Sequence, residues 1–377
     1  MKINSKRLTE IFLDLISISA VSKEEKPVAG YIKNFLAELG INSIEDNAGK
    51  IVGGNTGNII AKLNGSAGTE PIAFAAHMDT VKPTAGINPH IEDGRIVSDG
   101  STILGADNRA GIAIILYTIE TIVKEALPAA GFEAVFTIGE ETGLFGSTNL
   151  DKSKVSSKTA YILDSSSDPG CYVFSAPGAL EFDINLYGKS SHAAVHPEDG
   201  INALSMAAEL INNFPLGQVD ENTTINFGRI NGGEANNVIP PQVDISGEIR
   251  SFSDADIQKH SRNLRDILDQ ISKKFGGRYE YRSKLSFPGF ILDLNSGPVR
   301  RLNDCLSECG LTPKPIKYLG GSDANILNGR GMTAVNLGIG AKNPHSTDEY
   351  ILIKDLEKMA DVVLNLIKIG EEISEKY

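Results

Sequence analysis

The stretch Ile72-Ala73-Phe74-Ala75-Ala76-His77-Met78-Asp79-Thr80 is apolar up to Ala76 and then closes on His-x-Asp. A short apolar run that stops this abruptly reads as a strand buried on both faces, as in the middle of a parallel sheet. Side chains alternate along a strand, so His77 and Asp79 project from the same face. An imidazole beside a carboxylate at a buried strand end suits a metal ligand with an orienting partner. Taken alone, the pair reads better as a satisfied histidine at a strand terminus, so its neighbours must decide.

Downstream, the same arrangement recurs. Residues 132–138 form an apolar strand ending in Gly139-Glu140-Glu141-Thr142-Gly143, and residues 159–163 form another ending in Asp164. Asp107, in Leu104-Gly105-Ala106-Asp107-Asn108-Arg109, precedes an apolar helix over 110–123. Singly, Asp107 would pass for a helix cap. Two adjacent carboxylates at a buried strand end are costly unless positive charge lies between them. Strand, helix, strand with polar groups at successive strand ends predicts an α/β fold. Its sheet is open, mostly parallel and flanked by helices, with the site at the carboxyl ends of the strands.

Upstream, residues 5–17 carry Leu8, Ile11, Phe12, Leu15 and Ile16 at helical spacing, and 26–39 repeat the pattern before Gly40. Residues 58–63 read as a strand and Asn64-Gly65-Ser66-Ala67-Gly68 as a turn. The run Lys23-Glu24-Glu25-Lys26 reads as a solvated face, and the segment from Asp79 to Ser101 as irregular.

From residue 178 to 287 the pattern changes. Strands at 180–186, 223–229, 243–250 and 279–285 and helices at 203–214 and 255–275 follow the order βαββαβ. That is a ferredoxin-like α+β unit. Pro177-Gly178 and Pro288-Gly289 punctuate its ends, which predicts an inserted lid over 178–287 within a domain made of 1–177 and 288–377. The outer domain resumes with a helix over 297–309, the loop Gly320-Gly321-Ser322-Asp323 and a strand over 333–337. His345 follows in a loop, and a helix over 352–369 comes last.

At 377 residues, two domains are the natural expectation. The net charge of −12 argues against a nucleic-acid partner. No apolar run is long enough for a membrane span, and Glu10 and Asp14 interrupt the first apolar segment, so no secretory signal is read. Cys171, Cys305 and Cys309 form no C-x-x-C motif and cannot all pair, which fits a reducing, cytoplasmic setting. His90, His196 and His260 have no supporting motif and read as structural or exposed.

Collected, His77, Asp79, Asp107, Glu140, Glu141, Asp164 and His345 form a histidine–carboxylate set without thiolates. Such a set suits catalytic zinc, or manganese or cobalt. With these motifs in order, the chain resembles the co-catalytic zinc peptidases that include peptidase T, carboxypeptidase G, aminoacylase and the succinyl-diaminopimelate desuccinylases. The likeness continues through Ser191-His192-Ala193-Ala194, Asn237-Val238-Ile239-Pro240, Glu248-Ile249-Arg250, Gly320-Gly321-Ser322-Asp323 and Asn343-Pro344-His345.

The resemblance implies two zinc ions, one held by His77 and Asp164 and the other by Glu141 and His345, with Asp107 bridging. It implies Glu140 as general base, Asp79 orienting His77, and a cis Asp107–Asn108 bond. His192 would stabilise the oxyanion, Arg250 and Asn237 would hold a substrate carboxylate, and Gly320, Gly321 and Ser322 would touch substrate. The implied activity is hydrolysis of short peptides, with peptidase T the nearest group and a homodimer through the lid possible. Tyr318-Leu319 stands where peptidase T proper carries an arginine, and Asn108-Arg109 where it carries Asp-Lys. Removal of acyl groups from amino acids uses the same metals and stays open, as does a non-catalytic binding relative.

Overall fold

The computed structural model describes residues 3–65 and 70–368. Of the expected turn at 64–68, the part from Ser66 on lies outside the described residues, as does the last residue of the helix expected over 352–369. The chain divides into two compact units. The larger comprises the residues up to Phe174, Ile291–Lys317 and those from Ser322 on, and the smaller Ser175–Phe290 with Tyr318–Gly321.

The larger unit is built on a mixed sheet. Its strands run in the order Ser43–Glu45, Ile59–Leu63, Phe132–Thr137, Ile72–His77, Thr159–Ser165, Thr333–Gly338 and Cys171–Ala176. Four central strands are parallel: Ile72–His77 pairs with Phe132–Thr137 on one side and Thr159–Ser165 on the other, and Thr333–Gly338 pairs with Thr159–Ser165. The register sets Ile72 opposite both Phe132 and Thr159, so the carboxyl ends of three strands emerge together.

Ile59–Leu63 is antiparallel to Phe132–Thr137, and Cys171–Ala176 is antiparallel to Thr333–Gly338. Every residue of Ile72–His77 and Phe132–Thr137 is buried. Burying each large apolar side chain there contributes about 1.5–3 kcal/mol. Against these strands packs the helix Ala106–Glu125, buried from Asn108 to Thr121.

Two expectations are corrected here. The segment after Asp79 is not wholly irregular: His90–Glu92 and Arg95–Val97 form a hairpin, and Tyr350–Leu352 pairs with Arg95–Val97. Strands of three residues are too short to display a period. Glu25 is not on a solvated face but fully buried, because its carboxylate accepts the backbone amides of Lys23 and Gly139 at 2.9 Å each.

The smaller unit carries strands Gly178–Tyr187, Thr223–Gly232, Gln242–Ser251 and Arg278–Phe287 with helices Ala203–Asn213 and Asp254–Phe275. In the antiparallel sheet the first strand lies between the third and fourth, the ferredoxin-like arrangement. Alternate residues Leu180, Phe182, Ile184 and Leu186 point into a core shared with Leu210, Leu264 and Leu268. Asn202 and Ser253 cap the two helices by accepting backbone amides, each cap contributing about 1 kcal/mol.

Candidate metal centre

His77 closes the central strand at 2 % exposure. Its Nδ1–H donates to the Asp79 carbonyl at 2.9 Å, which turns Nε2 toward Asp107 and Asp164. That Nε2 stands 3.0 Å from Asp107 Oδ1 and 3.2 Å from Asp164 Oδ1. The second oxygen of Asp107 lies 3.5 Å from His345 Nε2, which is also 2.8 Å from Glu141 Oε1. Asp107 thus belongs to two groups, His77–Asp107–Asp164 and Asp107–Glu141–His345, each with ligand atoms within 4.8 Å of one another. All five residues expected as metal ligands come together in the larger unit.

Local structure explains how each is held. Asp107 and Asn108 interrupt the first turn of their helix with non-helical dihedrals, and the peptide bond joining them is cis. Asn108 then caps the helix, its Oδ1 accepting the Gly111 amide at 3.1 Å, while its Nδ2 donates to Asp164 at 2.8 Å. Asp79, expected to orient His77, stands beside its ring and also holds the turn that carries Glu140 and Glu141. The ring is held by the main-chain carbonyl, and the carboxylate oxygen is 3.4 Å from Nδ1. That carboxylate accepts the amides of Glu140 at 3.0 Å and Glu141 at 3.2 Å and the Ser22 hydroxyl at 2.5 Å. Asp79 therefore fixes the turn that presents both glutamates.

The electrostatics are those of a crowded acidic pocket. Burial pushes the Glu140 carboxyl well above its ordinary range, and the Asp164 charge adds to the push. Burial also raises Asp164 against the pull of His77. For His77, burial opposes protonation, but the hydrogen bonds to Asp107 and Asp164 prevail and raise it. His345 is pushed up to about 10 by Asp107 and Glu141. These carboxylates lack enough positive charge among themselves, and two imidazoles with three carboxylates are the donor set that divalent zinc, manganese or cobalt accept. The residues fit two cations.

Sequence reasoning missed several supports. Glu349, at 1 % exposure, accepts the amides of Gly105 at 2.6 Å and Asp107 at 3.0 Å. Arg109 is buried beneath the pocket, donating to the carbonyls of Met78 and Ile18, with its pKa lowered to about 10 by burial. Asp323 is buried, accepts the Thr137 hydroxyl at 2.5 Å, and is pushed up to about 6 by burial. Their partners are remote in sequence; the only signal was polarity inside or beside apolar segments.

The remaining expected residues lie in the smaller unit or at its border. His192 is exposed and bridges to Val238, and the Ala193 amide donates to the Asn237 carbonyl at 3.0 Å, setting His192 and Asn237 side by side. His192 Nδ1 accepts the amides of Ala194 and Val195 at 3.2 and 3.3 Å. Its proton is therefore on Nε2, which faces outward as a donor. Arg250 is engaged by Glu248 through bonds of 3.0 and 3.1 Å and stacks over Phe287. A Cβ on Gly320 would meet the Tyr318 ring at 2.7 Å and one on Gly321 the Phe287 ring at 2.4 Å, so a side chain at either position would require a ring to shift. Ser322 opens the helix Asp323–Gly329, where Asn325 returns a bond to its amide at 3.0 Å, a capping role.

A peptidase dimerisation domain model matches residues 174–276, and a model of peptidase family M28 matches residues 58–198. The chain is 34 % identical to the uncharacterized protein YqjE of Bacillus subtilis, covering 97 % of this chain and 99 % of that one. It is 35 % identical to the aminopeptidase PepT structure from Bacillus cereus, with a TM-score of 0.91 and coverage of 97 % and 98 %. With a tripeptidase structure from Staphylococcus aureus the identity is 34 %, the TM-score 0.94 and the coverage 98 % and 99 %.

Proposed function

The chain belongs to the peptidase T-like family of co-catalytic metallopeptidases, and on that premise we propose how its residues divide the work. It is a metal-dependent hydrolase of amide bonds in short peptides, of the aminopeptidase or tripeptidase type. His77 and Asp164 would hold one ion, Glu141 and His345 the other, with Asp107 serving both; zinc suits this donor set, and manganese or cobalt can replace it. When bound, the ions polarise the scissile carbonyl and lower the pKa of water to about 7.

The chain supplies the rest. Glu140, presented by the same turn as Glu141, takes the proton of the attacking water and hands it to the leaving amine. Asp79 holds Glu140 and Glu141 in place. The outward Nε2–H of His192 would donate to the oxyanion, an interaction contributing about 2–4 kcal/mol to the barrier. Arg250 and Asn237 would receive the substrate carboxylate, with Gly320, Gly321 and Ser322 along the peptide. For Arg250 this means exchanging Glu248 for substrate. The setting is the cytoplasm, and the assembly a homodimer through the smaller unit, in keeping with the dimerisation-domain match.

The observation that carries this reading is the sharing of Asp107, one oxygen toward His77 and the other toward His345. A release assay on tripeptides, N-acetyl amino acids and N-succinyl amino acids, with and without chelator, tests it. Chelator-sensitive release of the amino-terminal residue is expected. Release of acetate or succinate alone would transfer the reading to amino-acid deacylation, and two bound metals with no turnover would mark a binding relative.

A further inference from the structure

Glu349 contributes no ligand atom to either group of candidate ligands, yet it is among the most buried carboxylates of the larger unit. One oxygen accepts the Gly105 amide at 2.6 Å and the other the Asp107 amide at 3.0 Å. A carboxylate that takes two backbone N–H groups from one turn fixes that turn strongly, since charge-assisted bonds are about twice as strong as neutral ones.

Glu349 is itself fixed. Its amide donates to the Ser346 carbonyl at 3.1 Å, and the strand Tyr350–Leu352 that follows pairs with Arg95–Val97. It closes the loop that begins at Asn343 and His345, both at positive φ. The same side chain therefore reaches from the His345 loop to the turn that aims Asp107. Those two residues supply opposite sides of one cation group, with His345 Nε2 and Asp107 Oδ2 3.5 Å apart. The Asp107 side is also supported by Asn108, whose amide engages Asp164, and by His77, whose Nε2 is 3.0 Å from Asp107 Oδ1.

We propose that Glu349 is a positioning residue that sets the spacing of Asp107 and His345, and through it the affinity for the cation shared by Asp107, Glu141 and His345. The inference rests on the two-metal reading above. Loss of the strap leaves His77, held by the Asp79 carbonyl, and Asp164, held by Asn108, in place. The two cation groups should then respond unequally.

The test uses the full chain, stripped of metal and titrated with zinc against a chromophoric chelator. Wild type and Glu349→Gln are compared, with circular dichroism recorded before metal is added. The expected result is two ions on wild type; on the folded variant both bind more weakly, the one between Asp107, Glu141 and His345 by the larger factor, at least tenfold. Glu349→Asp, which keeps the charge but shortens the reach, should fall in between. Wild type that holds fewer than two ions overturns the metal reading itself. Two ions bound equally well by wild type and Glu349→Gln, or a Glu349→Gln chain already unfolded without metal, overturns the positioning role alone.

Discussion

The carboxylate of Asp79 accepts the backbone amide of Glu140 at 3.0 Å, so the residue two places after His77 also holds the proposed proton carrier. Its other oxygen takes the Glu141 amide and the Ser22 hydroxyl. Asp79→Asn replaces an oxygen by an N–H-bearing nitrogen that cannot accept. The expected outcome is a 10- to 100-fold loss of metal affinity or activity. Metal content after dialysis and kcat on a tripeptide are the measurements; an unchanged enzyme would show that the turn holds itself.

Glu140→Gln keeps the shape of the side chain and removes its capacity to carry a proton. Turnover should fall about 10²- to 10⁴-fold while both ions remain bound. Metal analysis beside steady-state kinetics separates this from loss of a ligand. Near-normal rates would assign the base elsewhere.

For His192, the two amides on Nδ1 require the Nε2–H tautomer. Nitrogen-15 chemical shifts of the labelled ring should show Nε2 protonated. His192→Ala should lower kcat about 10²- to 10³-fold with KM little changed, the pattern of a group acting in the transition state.

Glu133 gives a prediction on stability that is independent of metal. Burial would raise its carboxyl, but Lys62 and the amides and hydroxyls of Ser156 and Ser157 outweigh it and pull it down to about 2 from 4.5. Because the folded value lies below the unfolded one, the stabilisation is complete above about pH 4.5 and is lost as pH falls toward 2. Glu133→Gln should cost about 2 kcal/mol at pH 7, after allowance for solvent screening. Denaturant midpoints for the two proteins should converge in acid; a constant difference would exclude the charge as its source.

Chelation should lower the melting temperature along with activity, and zinc should restore both. A ligand present at 1,000 times its Kd stabilises the folded state by about 4 kcal/mol. A melting curve indifferent to chelator would argue against ions bound within the fold.

The parallel core could be read because Ile72 to Ala76 and Phe132 to Ile138 are long apolar runs that leave little choice of environment. The candidate ligands stood out for the same reason: His77, Glu141 and Asp164 stand where apolar runs stop. Tyr350–Leu352 and Arg95–Val97 escaped because three residues cannot display a period, and their pairing partners are remote. Glu25 looked solvated from its charged neighbours; only the fold brings the Gly139 amide to it. Glu349 and Arg109 were hidden likewise, since a buried charge is recognised by its partners and theirs are backbone groups from other segments.

The strand Thr333–Gly338 lies between Thr159–Ser165 and Cys171–Ala176, although the whole smaller unit is encoded before it. During synthesis the ribosome must therefore deliver four of the five expected ligands long before the sheet that carries them is complete. Until residue 338 emerges, Thr159–Ser165 exposes an apolar edge of the kind that invites mispairing. His345 follows shortly after that missing strand, so the five candidate ligands can come together only once the sheet has closed.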